Sequence, residues 1–120
     1  MTRQKEIGDK GEEIAQGYLQ KIGYQLLATN WRFHHYEIDI IAKDGDELVI
    51  VEVKSRTGIA YEHPSEAIST RKIRFLIEAA EAYIFKTDSH CDTRFDVITI
   101  IFRDDDFELE HFKNAFYPTA

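Results

Sequence analysis

Cysteine, proline and long apolar runs are scarce in this 120-residue sequence, and each scarcity narrows the class of protein. The single cysteine, Cys91, excludes an internal disulfide and a cysteine-rich zinc cluster, and this usage is typical of a reducing compartment. No stretch approaches the roughly 18 uninterrupted apolar residues of a membrane span, and residues 1–13 lack the apolar core of a signal peptide. We therefore expect a cytoplasmic protein with no membrane partner.

Basic residues are also few compared with acidic residues. Fifteen Lys and Arg face 22 Asp and Glu, which gives a formal net charge of −7, and this excess alone argues against a polyanionic partner. The acids are unevenly spread, however, because residues 103–110 hold five acids and one base, a local charge of −4. If the four acids discussed below bind a metal ion, the rest of the chain is close to neutral. Net charge therefore neither excludes nor supports a nucleic acid partner.

Length and periodicity predict one domain over residues 1–120, large enough to bury a core without disulfides or a structural metal. Helices are predicted at 7–22, with Gly23 as C-terminal cap, and from Ser65, as N-cap, to Phe85. Strands are predicted at 24–33, 36–43, 47–54, 95–102 and 107–112. The fourth of these is the most hydrophobic, and we expect it at the centre of the sheet. The order α-β-β-β-α-β-β predicts an α/β domain, with helices packed on a mixed sheet.

Charged residues interrupt the apolar segment VIVEVKSR, residues 49–56. Charges inside a strand are costly to bury unless they are paired or bind something. Since alternate strand residues share a face, Glu52 and Lys54 are neighbours on the face of Leu48 and Ile50. The two are therefore either a structural ion pair or part of an active site.

Other carboxylates are predicted to lie near this pair. In the preceding strand, alternation places Glu37, Asp39 and Ile41 on one face, and the hairpin brings Asp39 near Glu52 if the two faces match. Glu12 lies beside the buried stripe of the first helix and is expected to point toward the sheet. The result would be a group of carboxylates at a strand edge.

Such a group suits a hard divalent cation, because Mg²⁺ prefers oxygen ligands and retains several waters. Asp39 and Glu52 are the predicted ligands, with the backbone carbonyl of Val53 as a third. A bound metal ion acidifies water and stabilises charge on phosphoryl oxygens. Lys54 would position or help to deprotonate the attacking water, or bind the developing negative charge.

Basic residues beyond this group are candidates for phosphate contacts, which position a nucleic acid without reading its sequence. They are Arg56, Arg71, Lys72 and Arg74. The alternative for the last three is a solvated helix face.

Structural interpretations are preferred for three other features. Trp31 is expected to pack in the core. His34 and His35 are expected at a strand end or turn, because no third metal ligand lies at a diagnostic spacing. Arg94 and Asp96 are expected to form a structural pair.

Several blocks occur in an order that is recognisable: GDKGEEIAQGYLQKIGY, TNWR, EIDIIA, VEVKSR and RFDVI. Together they cover about residues 8–101, and they resemble the small bacterial YraN family. That family is similar to the restriction-endonuclease-like superfamily, whose signature is PD-(D/E)-x-K, and especially to archaeal Holliday-junction resolvases.

The resemblance implies a core sheet flanked by helices, an Mg²⁺ or Mn²⁺ site and hydrolysis of phosphodiester bonds in a nucleic acid, with DNA as the expected substrate. It assigns the acid of the first helix to Glu12 and the motif aspartate to Asp39. The acid and lysine of the E-x-K element correspond to Glu52 and Lys54, and Glu37 matches a further acid usual in the family.

One position departs from the family pattern, since Tyr36 stands where glycine usually precedes the E-I-D element. Related resolvases act as dimers, so a homodimer is expected. The alternative function is a non-catalytic module that binds nucleic acid or protein and retains the nuclease fold. The enzyme is favoured because the chain carries Glu12, Asp39, Glu52 and Lys54. Burying charged side chains in strands costs free energy, which a module without catalysis has little reason to spend.

Overall fold

The computed structural model describes residues 3–59, 62 and 64–116. The helices within these ranges are α1 (Arg3–Lys21), α2 (Pro64–Ala67) and α3 (Thr70–Thr87). The strands are β1 (Gln25–Phe33), β2 (Tyr36–Asp44), β3 (Glu47–Thr57), β4 (Asp92–Arg103) and β5 (Asp106–Phe116). The predicted α/β order is confirmed, with α2 as a short additional turn before α3. None of the helices in these ranges has the length and apolar character needed to cross a membrane.

The five strands form one mixed sheet in the order β1-β2-β3-β4-β5. All neighbouring pairs are antiparallel except β3 and β4, which are parallel and are connected by the crossover through α2 and α3. The middle strand is β3, so the prediction that the 95–102 strand lies at the centre is wrong. Residues 94–101 of β4 are nevertheless buried without interruption, because this strand lies inside the sheet with neighbours on both sides.

The helices cover opposite faces of the sheet and define two cores. Val49 and Val51 pack with the α1 residues Ala15 and Leu19, in what we call the α1-side core. Leu48 and Ile50 pack with the α3 residues Leu76, Ala79 and Ala80, in the α3-side core. The strand alternation predicted for residues 48–51 is therefore confirmed, and it places Glu52 and Lys54 toward α3.

The two long helices end and begin at identifiable caps. Gly23 has φ +98°, and the N–H groups of Gly23 and Tyr24 donate to carbonyls of the last turn of α1, as predicted for a C-terminal glycine. The start of α3 differs from the prediction, because its N-cap is Ser69 rather than Ser65. Ser69 is extended and its Oγ accepts from the N–H of Lys72 at 3.1 Å, so a new helix begins after the break that follows α2.

Helix α1 lies close against β3 at Gly11. A Cβ atom at this position would lie 1.8 Å from Oγ and 2.9 Å from Cβ of Ser55. Only glycine allows this approach. Since Glu12 is the next residue, the contact also sets how far its carboxylate reaches over the sheet.

A buried ionic network connects distant parts of the chain around the predicted pair of Arg94 and Asp96, which is confirmed with an Nε–Oδ1 distance of 2.9 Å. Asp96 also contacts Nε2 of His111 at 2.7 Å and accepts from the N–H of Asn114 at 3.0 Å. The hydroxyl of Tyr24 contacts both members of the pair. Burial opposes ionisation of Asp96, but these hydrogen bonds outweigh it and lower its pKa to about 2.

Candidate metal centre

Strands β2 and β3 separate at one end, and this separation creates the position of Asp39. Their ladder ends at the pair Ile40–Val51, whereas β3 continues beside β4 to Thr57. Beyond the last pair, the backbone N–H of Val53 donates to Oδ2 of Asp39 at 2.8 Å. A side chain thus satisfies a strand N–H where the ladder has ended.

Side-chain alternation in β2 breaks at the same point. Ile38 and Ile41 both belong to the α3-side core, whereas Ile40 belongs to the α1-side core. The prediction that Ile41 shares a face with Asp39 and Glu37 is therefore wrong, since regular alternation does not hold where the ladder ends. Asp39 lies at the boundary between the two faces and can meet groups from both.

On the α1 side, three carboxylates converge. Glu12, Glu37 and Asp39 each offer an oxygen, and these three oxygens lie within 4.8 Å of one another. Asn30 holds two of these acids together, because its Nδ2 donates to Glu12 at 3.0 Å and to Glu37 at 3.2 Å. Asn30 has φ +49°, a left-handed conformation that asparagine tolerates better than most residues. We call Glu12, Glu37 and Asp39 the carboxylate triad.

On the α3 side, Asp39 meets the nearly completely buried Glu52, which is 2% exposed. Oε2 of Glu52 lies 3.6 Å from Nζ of Lys54 and 3.7 Å from Nζ of Lys72. Its other oxygen, Oε1, is buried and has no hydrogen-bond partner among the described residues. The predicted ion pair therefore exists, but it leaves one carboxylate oxygen available for a further ligand.

The carboxylates of the centre repel one another, because they are close together and partly or fully buried. Burial, together with the negative charge of Glu52, raises the pKa of Asp39 well above its usual range. Burial also raises the pKa of Glu12, and the charges of Asp39 and Glu37 add to this effect, against a hydrogen bond from Asn30 that opposes it. A divalent cation would relieve this repulsion.

The donors present fit Mg²⁺ or Mn²⁺, both of which prefer oxygen ligands. The sequence predicted Asp39, Glu52 and Val53 as ligands. The structure brings the first two side by side and joins Val53 to Asp39 by a hydrogen bond, and it adds Glu37 and Glu12. The unpartnered Oε1 of Glu52 is the clearest sign of space for a ligand.

Comparison with known proteins identifies the family. The model of the Uncharacterised protein family UPF0102 matches residues 11–100, three quarters of the sequence. The chain belongs to this family. A UPF0102 protein of Parabacteroides distasonis is 44% identical over 117 residues, covering 98% of this chain and 97% of that protein. Relatives from Bacteroides thetaiotaomicron (42% over 118 residues, 98% of each chain) and Chlorobium chlorochromatii (44% over 118 residues, 93% and 92%) carry the same family name.

The part of the chain that matches the UPF0102 model contains every acid of the candidate centre and both lysines. The four basic residues predicted to bind phosphate differ in their surroundings. Lys72 contacts Glu52 inside the centre, while the guanidinium of Arg71 lies over the ring of Phe75, 5.3 Å from its centroid. Nε of Arg56 donates to the carbonyl of Ile59 at 2.7 Å, and Arg74 is exposed on α3.

Tyr36, which the resemblance set apart from the family pattern, packs against α3. Its ring stacks on Phe75, with centroids 4.5 Å apart and planes at 26°. A hydrogen bond to Glu78 raises the pKa of its hydroxyl group. The side chain therefore extends the contact between β2 and α3 of this UPF0102 protein.

Sequence reasoning missed two residues of the centre. Asn30 lies in the block TNWR. Nothing in these four residues indicates that the Asn30 side chain bonds to Glu12 and Glu37. Lys72 was assigned to phosphate binding, because its position on the first turn of α3 does not reveal that this turn faces Glu52. Trp31 packs against the α3-side core as predicted, although it is only half-buried on the edge strand, with Tyr83 against its ring. His34 and His35 form the β1–β2 turn as predicted.

Proposed function

We propose that this UPF0102 protein is a divalent-metal-dependent nuclease of the restriction-endonuclease-like kind. Its proposed substrate is DNA, with branched or damaged duplexes as the first candidates. The observation that carries the proposal is the convergence of the carboxylate triad with Glu52 and Lys54 where β2 and β3 separate. This arrangement supports the resemblance to nucleases with an E-x-K element.

Each residue has a part in the proposed chemistry. Asp39 and Glu52, with the carbonyl of Val53, would hold Mg²⁺ or Mn²⁺, and Glu12 and Glu37 would complete the negative pocket. When bound, the ion supplies an acidified water and stabilises charge on the phosphoryl group. The Lys54 side chain is 38% exposed, so its ammonium can both contact Glu52 and reach a substrate phosphate or the attacking water.

The structure also suggests why Lys72 remains beside Glu52. If Lys54 turns toward substrate, Lys72 continues to compensate the buried carboxylate, so Glu52 is not left unpaired. Lys54 is then available for catalysis, and Lys72 acts as a positioning residue.

Cleavage of a substrate panel tests this function. Linear, nicked, flapped and four-way-junction DNA, together with RNA, are incubated with the protein in Mg²⁺, in Mn²⁺ and in EDTA. We expect metal-dependent cleavage of at least one DNA, reduced by about 100-fold or more in Lys54→Ala and Asp39→Asn. Asp46→Asn is the matched control, because Asp46 is exposed in the β2–β3 turn.

Two outcomes would oppose the proposal. Cleavage that persists in Lys54→Ala and Asp39→Asn would identify a contaminating nuclease. Binding without cleavage under any metal condition would instead support the non-catalytic module, which the overall negative charge of the chain also favours modestly.

A homodimer is part of the proposal for branched substrates, since two symmetric cuts require two sites. Sedimentation of the protein with and without a four-way junction measures this directly. We expect two protomers per junction.

A further inference from the structure

An aromatic cleft lies between the edge strand β1 and the C-terminal half of α3. Its volume is about 640 Å³. Its lining comprises Trp31, Arg32 and Phe33 from β1, and Glu78, Glu81, Ala82, Phe85 and Lys86 from α3. We call this the β1–α3 cleft, and none of its residues takes part in the chemistry proposed above.

The cleft presents flat aromatic surfaces. The rings of Trp31 and Phe33 are parallel to within 6°, with centroids 6.4 Å apart. The edge of Tyr83 packs against Trp31 at 5.3 Å and fixes its orientation from the core side. Across the cleft, Phe85 is 90% exposed, which is unusual for so large an apolar side chain.

One residue, Arg32, connects the cleft with the carboxylate triad, which lies on the α1 side of the sheet. Arg32 lines the cleft, and its Nη2 lies 3.0 Å from Oε2 of Glu37, a member of the triad. The Arg32 side chain is 73% exposed, so the guanidinium can also meet a phosphate. Lys86 is a second cation of the lining, which also contains the acids Glu78 and Glu81.

From these features we infer that the β1–α3 cleft binds an unpaired base of single-stranded DNA. This inference rests on the proposed nuclease function and specifies its substrate. Aromatic faces stack on any nucleobase, while cations at the rim contact the backbone. A paired base has no free face to offer, so the cleft favours flaps, branches and ends over intact duplex.

The chain carries its own probe for this site, because Trp31 is its single tryptophan. A base stacked beside Trp31 should quench its fluorescence. An eight-nucleotide oligo(dT) is titrated into the full chain, in EDTA and in Ca²⁺, and anisotropy of a labelled copy reports binding in parallel. We expect saturable quenching by the single strand and little by a duplex at equal concentration.

Phe85→Ala provides the test of the cleft, since this exposed ring can be removed without disturbing the core. We expect about a fivefold or greater loss of affinity for the oligonucleotide, the value for losing one stacked base. Phe107→Ala is the matched control, because Phe107 is 41% exposed at the start of β5 and is not among the residues that line the cleft. It should bind as wild type does.

The outcomes separate this inference from the nuclease proposal. Binding without quenching, unchanged affinity of Phe85→Ala, or no binding of the single strand would overturn the cleft assignment even if duplex DNA is cleaved. Quenching and Phe85-dependent binding without cleavage of any substrate would support the cleft and overturn the nuclease.

Discussion

Asp39 is the residue in which folding and the proposed function conflict most. It is buried beside Glu52, and this environment raises its pKa well above its usual range, so its charged form destabilises the metal-free fold. Asparagine at this position keeps an acceptor for the N–H of Val53 and removes the charge. We therefore predict that Asp39→Asn raises the stability of metal-free protein at pH 8 by about 1–2 kcal/mol, measured by urea denaturation in EDTA.

The pH dependence of this gain follows from the direction of the shift. A carboxyl group whose folded pKa is raised costs nothing below its unfolded pKa of about 4, because it is then protonated in both states. The cost grows as pH rises toward the folded pKa. Asp39→Asn and wild type should therefore be equally stable near pH 4 and diverge toward pH 8. Equal stability at both pH values would contradict this account.

Glu52 is compensated by two ammonium groups, so neither lysine alone is indispensable to the fold. Lys54→Met or Lys72→Met should each cost only about 1 kcal/mol, because the remaining lysine still contacts Oε2 of Glu52. The double variant should lose clearly more stability than the sum of the two single losses, since the buried carboxylate of Glu52 is then unpaired. A double-mutant cycle by urea denaturation measures this coupling, and additive costs would show that the lysines act independently.

At the scale of elements, the position of α1 on the sheet depends on Gly11. We predict that Gly11→Ala destabilises the protein by about 1–3 kcal/mol and weakens metal binding, because the added methyl meets Ser55 and moves Glu12. Thermal denaturation with and without Mn²⁺ reports both effects.

Gly17 provides the matched control within the same helix. A Cβ there meets nothing within 4 Å, so Gly17→Ala should stabilise α1 by about 0.5–1 kcal/mol. The double variant Gly11→Ala with Ser55→Gly should recover most of the loss. If Gly11→Ala behaves like Gly17→Ala, the close approach of α1 does not constrain the fold.

Strand periodicity sufficed to predict the elements and most of the faces. Glu52 and Lys54 share a face as predicted, because β3 is regular and paired with β4 throughout. The rule failed for Ile41, since β2 leaves its partner beside Asp39 and alternation breaks there. The end of a ladder depends on tertiary structure, and no local pattern in EIDIIA marks it.

The helix boundaries likewise depend partly on the local sequence and partly on how the elements pack. The sequence predicted Ser65 as the N-cap, whereas the helix begins at Ser69 because the short helix α2 precedes α3. The acids of the centre were predictable because charges in apolar strands stand out. Asn30 and Lys72 were not predicted as parts of the centre, since their partners lie on elements distant in sequence.

At the scale of the whole molecule, the network around Arg94 and Asp96 joins β4 to both ends of the chain. Tyr18 of α1 contacts Nδ1 of His111 at 3.0 Å, and His111 in β5 contacts Asp96. Arg94 also bonds to the β2–β3 turn, with Asp44 and Glu47 each at 3.0 Å. Strand β5, helix α1 and the residues on either side of the β2–β3 turn are therefore joined by one polar network.

Asp96→Asn should accordingly destabilise the fold by about 3–5 kcal/mol, because the buried Arg94 loses its main anionic partner. The pKa of Asp96 is lowered to about 2, so its contribution is present above the unfolded pKa and is lost as pH falls from about 4 to about 2. Denaturation curves at pH 7 and pH 2.5 check this. The wild-type advantage should shrink at the lower pH, and a constant difference would contradict the assignment.

The central claim is that the acids gathered where β2 and β3 separate bind a divalent cation, and calorimetric titration with Mn²⁺ tests it most directly. The account predicts saturable binding of at least one ion per chain. It also predicts that Asp39→Asn weakens this binding more than tenfold, whereas Asp46→Asn in the exposed turn leaves it unchanged. Absence of saturable binding, or equal affinity in wild type and Asp39→Asn, would contradict the account.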